Sequence, residues 1–300
     1  MRWLDEADLA DVVAELPTRP LFDDPEEDVR LSLAGVQDKM PVVCSRNRIG
    51  VTAGRTPSTH ILKAPIERFD DTVANEAFCL RLAAALGLTT GRAEVRRTEG
   101  VEFLLVERYD REVQAQVIRR LHQEDFCQAL GVPPERKYEA EGGPSLAACA
   151  DLIRAASASP ARDLLALVDT ASFNLLSGNH DAHGKNLSLL YSPTGVRLAP
   201  LYDLVCTAVY GGLSRKMATK LGGEYRAQYV ERRHVERFAQ ACGLGPAPVR
   251  RRMLRMALSI SGVAGDVLGE LRDKQEDRPV LERVVALIQD RAARMQSVLA

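Results

Sequence analysis

The 300-residue sequence has almost no net charge: 40 lysines and arginines stand against 41 acids, leaving −1. No global field therefore draws the chain to nucleic acid or to an anionic membrane. No stretch approaches the ~20 consecutive apolar residues of a membrane span. The N-terminus, Met1-Arg2-Trp3-Leu4-Asp5, runs into acids where a signal peptide would have its apolar core. The cysteines (Cys44, Cys79, Cys127, Cys149, Cys206 and Cys242) include no C-x-x-C pair, which argues against a zinc site. Several lie in apolar runs such as Phe78-Cys79-Leu80 and read as buried thiols of a reducing compartment. There is no low-complexity tract and no internal repeat. These absences predict a folded cytoplasmic protein with no membrane partner. Neither glycine-rich phosphate signature, G-x-G-x-x-G or G-x-x-x-x-G-K-[ST], occurs, so any loop covering phosphates is of another kind.

What is present suffices for one large domain or two smaller ones: 46% of residues are hydrophobic and 27% charged. Charge is unevenly placed. Residues 1–30 hold ten acids against three bases, whereas residues 215–300 hold 17 lysines and arginines against ten acids. The tail contains Arg250, Arg251, Arg252 and Arg255. A solvated helix face explains such a run; the sharper alternative is a phosphate-backbone contact beside a DNA-binding partner.

Leu4, Leu9, Val12, Val13 and Leu16 recur at helical spacing until Pro17 and Pro20 stop the helix, and an acidic linker follows to residue 30. Residues 31–110 read as a β-rich nucleotide-binding lobe. Its strands are 41–44, 60–63 and 103–106, and one helix over 72–86 interrupts them, closed by Gly87. Residues 111–300 read as a helical catalytic lobe, with helices over 124–130, 145–157 and 161–177 and again over 228–300. Asn186–Tyr191 and Val196–Leu198 flank Ser192-Pro193-Thr194-Gly195, a good hairpin turn. The expected class is α+β: a bilobal, protein-kinase-like fold with a small β-rich lobe before a larger, mostly helical one.

The informative segment is Gly178-Asn179-His180-Asp181-Ala182-His183-Gly184-Lys185-Asn186, followed after the hairpin by Leu201-Tyr202-Asp203. Kinase phosphoryl transfer needs a carboxylate beside the attacking hydroxyl, an amide and a second carboxylate for the metal, and a lysine on the phosphates. Asp181 and Asn186 have the D-x-x-x-x-N spacing of a catalytic loop, and Asp203 follows a hairpin as the second metal carboxylate does. Such hard oxygen ligands suit Mg²⁺. Lys63 ends a strand of the first lobe, and Glu76 opens that lobe's helix, where an ion pair would match the kinase arrangement. Each element alone has an ordinary explanation, His183 as a packing histidine and Lys63 as a strand-end lysine. Their order and context together carry the reading.

Eight segments together resemble the HipA family of toxin–antitoxin kinases: RLSLAGVQDK (30–39), THILKAP (59–65), NEAFCLRLAAALGL (75–88), VERYDR (106–111), LHQEDFCQALG (121–131), KYE (137–139), HDAHGKN (180–186) and LYD (201–203). The resemblance implies a Ser/Thr protein kinase using ATP and Mg²⁺. It places Ala34, Gly35, Val36, Gln37, Asp38 and Lys39 near the ATP phosphates with Lys63. It places Glu107, Arg108 and Tyr109 at the adenine, and Tyr202 beside the nucleotide. Asp181 would be the base, with His183 and Lys185 in its loop, while Asn186 and Asp203 would hold the metal. Ser32 matches a serine that family members phosphorylate on themselves, ejecting the loop; the added charge of about −1.5 to −2 would repel ATP phosphates.

The implied partners are a HipB-like helix-turn-helix antitoxin, through it operator DNA, and a protein substrate such as an aminoacyl-tRNA synthetase. Full-length members carry an N-terminal β-rich subdomain that this sequence lacks. A separately encoded protein supplying it, a misplaced start and a decayed remnant are the three explanations. Two other functions stay open: a small-molecule kinase resembling aminoglycoside phosphotransferases, and a non-catalytic co-repressor scaffold.

Overall fold

The computed structural model describes residues 1–16, 39–45, 48–52, 56–114 and 117–300. The expected phosphate loop and Ser32 lie outside the described residues, apart from Lys39. The chain divides into two compact units, Met1–Ala77 with Gly91–Leu121, and Phe78–Thr90 with His122–Ala300.

The first unit contains a six-stranded antiparallel sheet. Its strands are β1 (Arg2–Trp3), β2 (Lys39–Ser45), β3 (Arg48–Val51), β4 (His60–Lys63), β5 (Ala93–Thr98) and β6 (Val101–Glu107), in the spatial order β1-β3-β2-β4-β6-β5. The apolar run in β6 reflects burial on both faces. Successive side chains of a strand point to opposite sides. Phe103 and Leu105 join Val42, Ile49 and Leu62 under the N-terminal helix α1 (Glu6–Glu15), whose Val13 enters the same core. Leu104 and Val106 meet Val73 and Ala77 of α2 (Thr72–Ala85) on the other side. So the first helix, expected to lead into a linker, caps one face of the sheet. An exposed hairpin, β7 (Arg111–Gln114) with β8 (Val117–Arg120), follows.

The second unit is mainly helical. Glu124 and Asp125, expected in a helix over 124–130, instead belong to strand β9 (His122–Asp125), and only Phe126–Ala129 is helical, as α3. The physical reason is pairing. The predicted hairpin forms as β10 (Ser188–Ser192) and β11 (Gly195–Leu198), and β10 takes β9 as a third strand. Helix α4 (Leu146–Ala156) begins at Ser145, whose hydroxyl accepts from the amide of Ala148 at 3.1 Å. Helices α5 (Pro160–Ser177), α7 (Pro246–Asp273) and α8 (Pro279–Leu299) all start on proline, a residue pre-set for the first helical position. Helix α6 (Arg232–Ala241) packs on α7. No described helix is long and apolar enough to cross a membrane. Five cysteines are buried thiols and Cys44 is half-buried.

The basic run at the start of α7 is partly spent inside the molecule. Arg252 grips Asp169 at 2.5 and 2.6 Å, and Arg250 donates to the Leu299 carbonyl at 2.7 Å. Arg251 and Arg255 remain exposed.

Asp163, 3% exposed at the start of α5, holds the hairpin in place. It accepts from Ser157 Oγ (2.6 Å), the Leu198 amide (3.0 Å) and two Arg197 nitrogens (3.2 Å each). Burial alone would raise its pKa, but the hydrogen bonds from Arg197, Ser157 and Leu198 and the Arg197 charge outweigh it and hold the carboxyl below its usual value. A depressed carboxyl contributes stability above its unfolded pKa of about 3.9 and loses it as pH falls through the folded value. Asp163→Asn is expected to destabilise the fold by about 1.5–3 kcal/mol near neutral pH. In urea unfolding, its gap from wild type should narrow as pH drops below about 4; a gap independent of pH would remove the charge from the account.

Candidate active site

The loop after α5 is built by its stop signal. Gly178 has φ +80° at the helix C-terminus, and a Cβ there would stand 3.0 Å from Cys206 Sγ and from Leu287 Cδ2, so only glycine fits. Buried Asn179 then works as a strut. Its Oδ1 accepts from the Asp181 amide (3.2 Å), and its Nδ2 donates to Asn174 Oδ1 (3.1 Å) and the Asp203 carbonyl (3.5 Å). His180 turns inward. Its Nε2 accepts from Arg291 of α8 at 2.9 Å and its Nδ1 donates to the Ser214 carbonyl at 3.3 Å. Burial, then the Arg291 charge, push its pKa down, so the ring is neutral.

Asp181 carries a half-exposed side chain (50%). Its Oδ1 accepts from the Tyr138 hydroxyl at 2.6 Å, and its Oδ2 lies 3.9 Å from His183 Nε2. Burial pushes His183 down to about 4 against the raising effect of the Asp181 charge, leaving a neutral imidazole at physiological pH. The turn Gly184–Asn186 brings Asn186 round. Its Oδ1 accepts from the His183 amide at 3.1 Å and its Nδ2 meets Asp203 Oδ2 at 3.5 Å. Asp203 has φ +52°. Such a left-handed aspartate stores about 1–3 kcal/mol and persists where its surroundings over-determine it. The Tyr202 hydroxyl donates to the Lys185 carbonyl (2.7 Å) and accepts from Ser188 Oγ (2.6 Å), tying the segment before Asp203 to the loop. Lys185 is in an ion pair with Asp125 Oδ2 at 3.2 Å.

The second unit thus brings together Asp181, His183, Asn186, Tyr202 and Asp203. Among the described residues no cluster of three or more His, Cys, Asp or Glu could cage a metal. The Asn186 amide and Asp203 carboxylate are hard oxygen donors too few to hold Mg²⁺ alone, a set that fits a cation whose shell is completed by phosphate oxygens and water.

The first unit holds the other expected residues. Lys63 Nζ meets Glu76 Oε1 at 2.5 Å, and both side chains are nearly sealed, 6% and 2% exposed. Lys39 lies directly opposite Lys63 across β2 and β4 and is also buried. After β6 the backbone is committed: the Glu107 amide donates to Arg92 O (2.8 Å) and the Arg108 amide to Thr59 O (2.9 Å). The Arg108 guanidinium forks onto buried Asp110 at 3.0 and 2.7 Å, and Arg111 adds a third contact at 2.7 Å.

Sequence reasoning missed three members of this site. Asn179 and Asp125 lay inside matched or adjacent segments without a role. Tyr138 stood in a matched triplet 43 residues before Asp181, with no spacing rule to connect them.

A β-sheet unit carrying a buried Lys–Glu pair, with a mainly helical unit carrying Asp181, Asn186 and Asp203, is the architecture of a kinase-like fold. Residues 31–263 match the HipA-like C-terminal domain family, and the chain belongs to it. It is 48% identical over 271 residues to a putative kinase, Y4mE, of Sinorhizobium fredii, covering 90% of this chain and 64% of that one. It is 32% identical over 269 residues to the serine/threonine-protein kinase toxin HipA of Shewanella oneidensis, covering 83% and 60%. The chain therefore spans less than two thirds of the length of these relatives. Its fold matches that of Shewanella oneidensis HipA, solved with HipB and operator DNA, at a TM-score of 0.81 and 26% identity over 99% of this chain and 71% of that one. The Helicobacter pylori kinase CtkA matches in fold, with a TM-score of 0.61 at 12% identity over 91% and 94%.

Proposed function

We propose that the chain is an ATP-dependent Ser/Thr protein kinase of the HipA type. The observation that carries this is the convergence of Asp181, Asn186 and Asp203, strutted together by Asn179. In this reading an acceptor hydroxyl gives its proton to Asp181 as its oxygen bonds the γ-phosphorus, the bond from that phosphorus to the β-phosphate oxygen breaks, and ADP leaves. Mg²⁺, held by Asn186 and Asp203, would neutralise charge on the phosphates. Lys63, oriented by Glu76, and Lys39 would meet phosphate oxygens. As the resemblance implies, the backbone of Glu107 and Tyr109, with Arg108 between them, would serve the adenine. His183, Lys185 and Tyr202 would support the loop.

A protein acceptor, self-modification at Ser32, a HipB-like antitoxin on operator DNA and a cytoplasmic location complete the proposal. The HipA–HipB–operator complex supports the antitoxin partner, and the family resemblance supports the protein acceptor and the modification of Ser32.

Incubated with Mg-ATP, the purified chain is expected to gain one phosphate on Ser32 by intact mass and peptide mapping, and Asp181→Ala to gain none. ATP binding without self-modification would favour a small-molecule kinase. Neither binding nor modification would favour the scaffold.

A further inference from the structure

The matched triplet Lys137-Tyr138-Glu139 has no task in the reading above, yet Lys137 and Tyr138 touch the catalytic segment directly and Glu139 reaches it through Ala218. The Lys137 carbonyl accepts from the Gly184 amide at 3.3 Å. The Tyr138 ring stands edge-on to His183, centroids 5.3 Å apart, and its hydroxyl reaches Asp181 Oδ1 at 2.6 Å. The Glu139 amide donates to Ala218 O (3.1 Å), and its Oε2 accepts from the Lys220 amide (2.7 Å). The Ala218 amide closes the circuit on the His180 carbonyl at 2.8 Å. The triplet is itself rigid. The Gly143 amide bonds back to the Tyr138 carbonyl at 2.9 Å, and a Cβ on Gly143 would stand 2.4 Å from the Arg136 carbonyl.

The two oxygens of Asp181 are consequently unlike. Oδ1 is taken by Tyr138, whereas Oδ2 has no hydrogen bond among the described residues, His183 Nε2 being 3.9 Å away. A half-exposed aspartate on a loop would otherwise sample several rotamers, and a misplacement of about 1 Å can cost about 100-fold in rate. Burial, then the hydrogen bond to Asp181, raise the Tyr138 pKa well above the ordinary phenol value, so the phenol keeps its proton and remains a donor.

We propose that Tyr138 is a positioning residue for phosphoryl transfer: its hydroxyl clamps Oδ1 of Asp181 and leaves Oδ2 to take the acceptor proton. This rests on Asp181 being the base.

The test follows ADP release from Mg-ATP by the full chain, with protein or water as acceptor, in wild type, Tyr138→Phe, Asp181→Ala and the double variant. Tyr138→Phe is expected to lower kcat about 10- to 100-fold, the scale of one hydrogen bond to a charged group, with KM for ATP unchanged. In the Asp181→Ala background the same change should have no further effect, a non-additivity that a merely structural role would not produce. An unchanged or faster Tyr138→Phe beside a dead Asp181→Ala would overturn the proposal and leave the kinase reading standing. Equal losses in both backgrounds would also overturn it. A full-rate Asp181→Ala, or no ADP from the wild type, would sink the kinase reading and the proposal with it.

Discussion

Asp181→Ala is expected to reduce phosphoryl transfer by about 10²- to 10⁴-fold, the usual contribution of a positioned general base, while the protein stays folded and keeps its affinity for ATP. The argument for a pure loss of rate is geometric. The carboxylate is half exposed, so its removal opens no cavity. The loop around it is held by other bonds: the Asn179 strut, the His180 contacts to Arg291 and Ser214, and the mutual bonds of His183 and Asn186. One contact is lost, the Tyr138 hydroxyl, and on a partly exposed surface water can replace it. Rates of ADP formation and the melting temperature of the same preparation check both halves. A variant that retains full rate removes Asp181 from the chemistry. One that melts far below wild type shows that the aspartate is a structural member of the loop.

The second large effect concerns stability. Lys63 and Glu76 are 6% and 2% exposed, and their contact is 2.5 Å. Removing one partner of such a buried pair leaves an uncompensated charge, at a cost of about 3–5 kcal/mol. Glu76→Ala and Lys63→Met are each expected to lower the urea midpoint accordingly. The double variant Lys63→Met with Glu76→Leu should recover most of that loss, because two apolar side chains of similar volume bury no charge. Additive losses in the double variant would mean that the two residues act independently. The double variant should still fail to turn over ATP, since the lysine would be gone from the phosphates. The pair would then be kept for function and not for stability.

Much of this was legible in the sequence because it depends on local rules. The turn Ser192–Gly195 paired Ser192 with Gly195 as its composition demands. Helices α5, α7 and α8 begin where proline permits. The run Phe103–Val106, apolar at every position, is a strand covered on both faces. The D-x-x-x-x-N spacing brought Asp181 and Asn186 into one loop because five residues cannot place them far apart.

Other features depend on partners distant in sequence, and there local rules fail. Glu124 and Asp125 became a strand because β10, some 60 residues later, offered them a free edge. Arg252 and Arg250, expected on a solvated helix face, turn instead to Asp169 and the Leu299 carbonyl, which only helix packing brings within reach.

The sequence by itself determined the family and the succession of a β-rich part and a mainly helical one, and it grouped the candidate residues in short segments, since each is a property of residue type and short spacing. Only the tertiary structure decided how those side chains are aimed. A hydrogen bond such as Tyr138 to Asp181 depends on distances of a few tenths of an ångström between segments 43 residues apart, and those distances are set by the packing of the whole unit.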